Sequence, residues 1–306
     1  MNDTELRALV ERMVAELAGQ APTPQVKAAD YKPMEREADR AAQQSGDGLE
    51  DITQIDLRRQ YLVEDPKNKE GFLELKRKTP ARIGLGRTGA RYKTETQLRM
   101  RADHAAAQDS VFSLVDEAFV QRMNFVPVQT LCSGKDEYLT RPDKGRRFDE
   151  DNQQVIKKTL GQQPKVVLVV GDGLSSAAIE ANAVDCISAI QAGLKAYGLD
   201  AGAVLFVKFC RVGASDHIGE LTGADVVCML VGERPGLVTA QSMSAYITYQ
   251  PRLGTPESDR TVISNIHSQG TSAVEAGAHV AELIKTMLEK KASGVKLAQL
   301  QRGVGA

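Results

Sequence analysis

The stretch that most constrains the fold lies in residues 224–267, where uncharged apolar runs stop abruptly in polar, glycine-bearing loops. The run from Val226 to Val231 (VVCMLV) carries no charge and breaks at Gly232-Glu233-Arg234-Pro235-Gly236. A second run, AYITY, ends at Gln250-Pro251-Arg252, and TVISNI follows before His267. Short uncharged runs bounded by turn residues suit strands buried on both faces of a parallel sheet. Open α/β sheets place ligands at the loops that leave the C-terminal ends of their strands. The functional surface is therefore expected at those loops.

The same rhythm extends upstream. KVVLVV (165–170) reads as a buried strand, followed by the turn GDGLSS and a helix from Ser176 to about Tyr197, ended by Gly198. AVLFVKF (203–209) is the next strand, SDHIGELTG (215–223) a short helix, and VVCMLV (226–231), AYITY (245–249) and TVISNI (261–266) three more strands. Ser272 opens a long helix to about Ala292, stopped by Gly294. Strands separated by helices predict an α/β fold with a doubly wound, mostly parallel sheet, Rossmann-like or flavodoxin-like. This domain is assigned to 161–306. Residues 49–160 are expected to be helix-rich with basic loops, with helices at 68–78, 94–107, 109–123 and 150–160 and a more extended segment at 124–140.

At the N-terminus, Leu6, Leu9, Val10, Met13, Val14 and Leu17 follow helical spacing on one face, so 1–19 reads as an amphipathic helix. Asn2 with Glu5 three positions on fits a capping box. Residues 20–48, rich in Pro, Gln, Ala, Asp and Gly, read as a flexible linker. A short helix on such a tether serves as a docking peptide, with packing back onto the body as the competing reading.

Composition narrows the classes. With 39 Lys and Arg against 40 Asp and Glu, the net charge is −1, which argues against nucleic-acid binding through bulk electrostatics and leaves self-association unopposed. No apolar run approaches the ~20 residues of a membrane span, and the polar, acidic start does not resemble a secretory signal. Cys132, Cys186, Cys210 and Cys228 lack metal-ligand spacing and read as reduced structural thiols of a cytoplasmic protein. The four histidines form no HExxH pair, so a zinc enzyme is not expected.

Several motifs have a functional and a plain reading. Gly84-Leu85-Gly86-Arg87-Thr88-Gly89 matches GxGxxG, but it follows LKRKTPARI rather than a buried strand, and is taken as accidental for NAD. What survives is a flexible cationic loop (Arg77, Lys78, Arg82, Arg87, Arg91, Lys93) that either holds an anion or is solvated. Gly171-Asp172-Gly173-Leu174-Ser175-Ser176 has strand–turn–helix context; its side chains are expected to cap the helix, while its backbone lies near a ligand. Residues 138–147 (YLTRPDKGRR) gather four cations near a proline, either as a salt-bridged turn or as an interface. In Asp216-His217-Ile218-Gly219 the spacing is DHxG, not the DxHxxG with which one cobalamin-binding family supplies a histidine to cobalt, so His217 is not expected to ligate cobalt. His267, after a strand, is the best lone acid/base candidate, with a histidine bonded to backbone as the plainer alternative.

Six blocks in order, YLTRPDKGRR, GDGLSS, FCRVGASDHIGE, VGERPGL, YQPR and DRTVISNIHSQGT, closely resemble the small (light) subunit of ethanolamine ammonia-lyase. The resemblance covers about residues 70–291. It implies a lyase complex that converts ethanolamine to acetaldehyde and ammonia with adenosylcobalamin as cofactor. It also implies a large, catalytic TIM-barrel subunit as partner and several copies of each subunit. The small subunit is implied to bind cobalamin at the interface, from the benzimidazole side, with no catalytic residue of its own. Carried over residue by residue, the cofactor contacts fall at Val212 with Arg211 beside it, at Glu233, and at Val262. The last position is cysteine in the family form, so a backbone contact would survive the change and a sulfur contact would be lost. The N-terminal helix is similar to peptides that recruit enzymes into bacterial microcompartments. Two other classes compete: a stand-alone nucleotide-dependent α/β enzyme using the GDGLSS turn, and a non-enzymatic scaffold subunit.

Overall fold

The computed structural model describes residue 52 and residues 55–79 and 81–303; the expected N-terminal helix and linker lie outside the described residues. The chain divides into two compact units at Ala106/Ala107.

In the first unit, helix α1 (Lys69–Arg77) is capped by Asn68, whose side chain accepts from the Gly71 N–H at 2.9 Å. Strands β1 (Arg87–Thr88) and β2 (Arg91–Tyr92) pair antiparallel, so the GxGxxG match closes a small hairpin and opens no helix. Gly89 takes φ +60° at the turn, as a two-residue hairpin connection requires. Helix α2 (Thr94–Phe112) starts in this unit. Asp103 on α2 accepts from Arg82 at 2.6 Å and Arg99 at 2.9 Å, which neutralises part of the basic loop internally.

The second unit holds the sheet. Helix α3 (Glu117–Arg122), strand β3 (Val126–Gln129), helix α4 (Lys135–Thr140) and helix α5 (Glu150–Leu160) precede strand β4 (Val166–Asp172). Helix α6 (Ser176–Ala196), strand β5 (Leu205–Lys208), helix α7 (Ala214–Thr222) and strand β6 (Val226–Gly232) continue the alternation. Strands β7 (Met243–Tyr249) and β8 (Arg260–Ile266) follow, then helices α8 (Ala273–Lys290) and α9 (Gly294–Gln301).

The six-stranded sheet has the order β3-β5-β4-β6-β7-β8. Its first four strands are mutually parallel, as expected. The last two are not: β7 runs antiparallel to β6, and β8 antiparallel to β7. No helix intervenes in either connection beyond a three-residue 3₁₀ turn at Glu257–Asp259, and a parallel return needs a crossover long enough to carry the chain back.

Every residue of β4 and β6 is buried, and apart from Asp172 at the end of β4 neither strand carries a charged side chain. Their side chains alternate between two cores. Val166, Leu168, Val170, Cys228 and Leu230 pack on the side of α6 and α8, with Ile179, Ile190 and Ile284. Val167, Val169, Val227 and Met229 pack on the opposite side against Ile156 of α5 and Ile218 of α7. Helices therefore cover both faces, as a doubly wound sheet requires.

Helix α8 starts with a full capping box between Ser272 and Glu275, and Lys291 ends it in the left-handed region (φ 53°). Gly294 was expected as a stop and instead opens α9; its φ of +60° turns the chain beside Ser258 and Asp259, where any Cβ would meet backbone. The helices expected at 94–107 and 109–123 are redistributed: α2 runs on to Phe112 and α3 begins only at Glu117, capped by Asp116. Across the α7 face, Asp216 forms a two-pronged ion pair with Arg260 at the start of β8, at 2.8 Å for each bond. No described helix is long and apolar enough to cross a membrane.

Candidate functional site

Because β8 is antiparallel to β7, its C-terminal end returns to the edge of the sheet where β4, β5 and β6 also end. At that edge, on the α7 side, lies a cleft of about 460 Å³. It draws Arg211 and Val212 from the loop after β5, Glu233 and Arg234 from the loop after β6, Tyr246 from β7 and Ser264 from β8.

Two of the walls are turned into place by residues with left-handed backbone. Phe209, immediately after β5, has φ 56°, an uncommon conformation for a bulky side chain, and swings the chain so that Cys210 and Arg211 enter the cleft. The turn is held because Thr130 donates to the Phe209 carbonyl (2.9 Å), Cys210 N–H to the Asp172 carbonyl (2.8 Å) and Arg211 N–H to the Gly145 carbonyl (2.9 Å). On the other wall Asn265 (φ 63°) follows Ser264, a conformation that asparagine tolerates.

Arg211 lies with its guanidinium 4.3 Å from the centre of the Tyr138 ring and donates Nη2 to the Tyr138 carbonyl at 2.7 Å. Its Nε is buried and has no hydrogen-bond partner among the described residues. Val212 packs its side chain against the α7-side core while lining the cleft.

Glu233 is committed to the protein. Oε1 accepts from Ser244 Oγ (2.6 Å) and from the Asn265 N–H (2.9 Å), and Oε2 from Ser242 Oγ (2.7 Å). A carboxylate has about four acceptor sites, so three are already used. Burial works against its charge, but the hydrogen bonds from Asn265, Ser244 and Ser242 outweigh it and hold the Glu233 pKa below the ordinary carboxylate value. The carboxylate thus ties the end of β6 to the start of β7 and the end of β8. Arg234 beside it is exposed and has no partner among the described residues.

Val262 stands apart from the other three expected contacts. It is 42% exposed, opposite Tyr246 in the β7–β8 register and two residues from Ser264 on the same strand face. It does not line the cleft itself and marks its outer margin. Tyr138, Ser244, Tyr246 and Ser264 line the cleft without having been singled out in the sequence, although Tyr138 opens the cation-rich YLTRPDKGRR block.

The match to known proteins covers all of these positions. Residues 69–298 match the family described as ethanolamine ammonia-lyase light chain (EutC). The chain belongs to the ethanolamine ammonia-lyase light-chain family. It is 59% identical to the ethanolamine ammonia-lyase small subunit of Clostridium perfringens over 297 residues, which are 97% of this chain and all of that one. The small subunit of Clostridioides difficile matches at 59% with the same coverage, and that of Listeria monocytogenes serotype 4a at 56%.

Within this light-chain scaffold the remaining motifs settle into structural roles. In GDGLSS, Ser175 caps α6 by accepting from the Ala178 N–H at 3.2 Å and also donates to the Ala240 carbonyl. Asp172 does not cap. It is buried, accepts from the Val115 N–H (3.0 Å) and Ser176 Oγ (2.8 Å), and burial raises its pKa. The glycines serve protein packing: an ideal Cβ on Gly173 would lie 2.8 Å from the Cys210 carbonyl oxygen, and one on Gly232 2.1 Å from that of Ser175. The β6 end therefore lies across the α6 N-terminus, where Ser175 and Ser176 are buried.

In the block at 138–147, Arg141 pairs with Asp143 (2.8 Å) and Lys144 with Glu137, whose carboxyl is pulled down to about 2 by hydrogen bonds from Lys144 and then Ser133. Arg146 and Arg147 are exposed. His217 is buried, stacks on Phe148 (5.5 Å between rings) and accepts from the Phe148 N–H at 3.2 Å; burial, then Arg147, lowers its pKa. His267 accepts from the Gln269 N–H at Nδ1 (3.2 Å), which leaves Nε2–H to donate to Asn265 Oδ1 (2.8 Å). That is the plainer of its two expected roles. All four cysteines are buried and free. Among the described residues, no group of three His, Cys, Asp or Glu side chains is placed to hold a metal ion.

Proposed function

We propose that this chain is the cofactor-positioning small subunit of an adenosylcobalamin-dependent ethanolamine ammonia-lyase, and that the cleft at the strand ends holds an edge of the corrinoid. The observation that carries the proposal is the convergence of Arg211, Val212 and Glu233, assigned from two separate sequence blocks, on one cleft. Val262 at its margin fits a peripheral contact.

The residues present suit the group. A corrin ring is fringed with amides, so it needs a rigid rim of donors and apolar contacts. Arg234 and Ser264 offer donors at the surface, and Val212 and Tyr246 offer apolar surface. Cavities of ~300–1,000 Å³ enclose drug-sized ligands. A corrinoid is larger than the 460 Å³ available, so this chain holds one edge and a partner covers the remainder. The large subunit is that partner, and a cofactor at the interface follows.

When bound, adenosylcobalamin supplies the radical that starts the deamination of ethanolamine to acetaldehyde and ammonia. The residues of this chain bind and orient. Arg211 is fixed over Tyr138 and presents Val212. Glu233 locks the loop after β6 against β7 and β8, so that Arg234 and Ser264 keep their spacing. Preorganised walls of this kind lower the ordering cost of binding. No side chain of the cleft is assigned a chemical step. The N-terminal segment 1–19 docks the complex in a microcompartment.

Ser264→Trp tests the site, since Ser264 is exposed and the indole would fill the cleft without disturbing the core. The variant, assembled with a large subunit, should fail to retain a corrinoid through a desalting column while wild type retains it. Full retention by the variant would remove the cleft from the proposal.

A further inference from the structure

Tyr138 is 2% exposed, and its ring is enclosed by Cys132, Leu139, Leu174 and Phe209. The Arg211 guanidinium covers one face of it. Yet its hydroxyl has no hydrogen-bond partner among the described residues, and it is not one of the sealed, unpartnered polar atoms, which are Thr96 Oγ1, Arg211 Nε and Thr248 Oγ1. The residue lines the cleft. Gly173 keeps space around the hydroxyl: a Cβ there would lie 3.1 Å from it. Buried tyrosines ordinarily place their O–H on a partner. Here the ring is fixed and the partner is missing.

The rest of the cleft tells what that partner is. The carboxylate at hand, Glu233, is engaged by Ser242, Ser244 and Asn265. What remains unengaged among the described residues is the Arg234 guanidinium, a donor and a cation, with the Tyr246 and Ser264 hydroxyls, in the same cleft as Arg211, a second cation. Burial, chiefly, pushes the Tyr138 phenol upward, so it stays protonated and able to donate at any ordinary pH. A cleft offering donors and positive charge disfavours an ammonium group such as that of an amino alcohol and favours an oxygen acceptor.

We propose that Tyr138 is a ligand contact of this cleft, its hydroxyl donating to an amide carbonyl or phosphate oxygen at the inserted edge of the corrinoid. The assignment rests on the corrinoid reading of the cleft. Arg211, stacked on the ring, positions Tyr138, and the ammonium substrate is bound elsewhere.

Tyr138→Phe removes the hydroxyl and keeps the ring under Arg211. In the complex with the large subunit, equilibrium binding of hydroxocobalamin, read by its absorbance, should weaken about five- to thirty-fold. The melting temperature of the complex without corrinoid should be unchanged, which separates a lost contact from a damaged fold. Cobinamide, which lacks the nucleotide loop and its phosphate, identifies the acceptor. An equal penalty with cobinamide assigns a corrin amide, and a penalty confined to hydroxocobalamin assigns the phosphate. Unchanged binding by Tyr138→Phe overturns the inference. If Ser264→Trp still abolishes binding in that case, the cleft remains the corrinoid site and Tyr138 alone is wrong; if both variants bind as wild type, the site itself is wrong.

Discussion

Removing the Asp216 carboxylate should destabilise this protein more than removing any other single charge in the sheet unit, for a reason readable in the geometry. Arg260 has a side chain 1% exposed and Asp216 one 9% exposed, and two parallel bonds of 2.8 Å join them. Truncating one member of a buried pair leaves a desolvated charge, at a typical cost of about 3–5 kcal/mol. Arg260 would retain Glu257 at 2.8 Å, but that carboxylate is 71% exposed and screened by water, so the expected loss for Asp216→Ala is about 3 kcal/mol, at the lower end. Urea unfolding of the chain, followed by circular dichroism at constant pH and salt, reads this directly as a lower midpoint with unchanged slope. Glu257→Ala should cost about 1 kcal/mol or less. Replacing both partners, as Asp216→Leu with Arg260→Met, should recover most of the loss because no charge is then left buried. A loss below about 1 kcal/mol for Asp216→Ala, or equal losses for Asp216→Ala and Glu257→Ala, would refute the reasoning. The pair also sits where it matters for the cleft. It joins α7, which begins directly after the Arg211–Gly213 loop, to β8, which carries Val262 and Ser264.

Glu233 should make stability depend on acid. Its pKa is lower in the folded chain than the ordinary ~4.3 of the unfolded one, so the unfolded state holds more protons between the two values. Its contribution is therefore complete above about pH 4.3 and is lost as pH falls through the folded value; Glu233→Gln should flatten the acid limb of a stability–pH curve, and an unchanged limb would count against the network. Gly232→Ala should destabilise by about 3 kcal/mol, since its Cβ would meet the Ser175 carbonyl oxygen, whereas Gly134→Ala, with nothing within 4 Å, should shift thermal unfolding by no more than about 0.5 kcal/mol. Deleting residues 1–19 should leave corrinoid binding and turnover of the reconstituted complex intact while changing its partitioning in cells that form microcompartments; unchanged partitioning would remove the docking role.

Much of the sheet was legible because burial on two faces leaves a strong mark. VVLVV and VVCMLV can be free of charge only where water reaches neither side, and both became central strands with every residue buried. Strand β3 was not legible as part of the sheet. It is four residues long, contains Pro127 and reads only as extended chain; its membership comes from pairing with β5, nearly 80 residues later. Direction was also hidden for β7 and β8, since their side-chain patterns are compatible with either sense and only the lack of an intervening helix decides it.

The cleft divides along the same line. Arg211, Val212 and Glu233 stand directly after strands, so the rule that ligands sit at strand ends, joined to the family blocks, reaches them from sequence. Tyr138 lies 73 residues before Arg211, and nothing local to YLTRPDKGRR says that its ring will lie beneath that guanidinium. Nor does the GERPG loop reveal that the Glu233 carboxylate is spent on two serines and a backbone N–H. Sequence alone determined the strands and helices from β4 to α8 and which loops leave the strand ends, because hydrophobic period and turn residues are local properties of the chain; it missed β3 and the helix Lys135–Thr140 within a segment expected to be extended. Strand direction, the partners of each buried polar group and the donor character of the cleft were decided by tertiary structure, because hydrogen bonds and charge pairing depend on which distant residues the fold brings within about 3 Å.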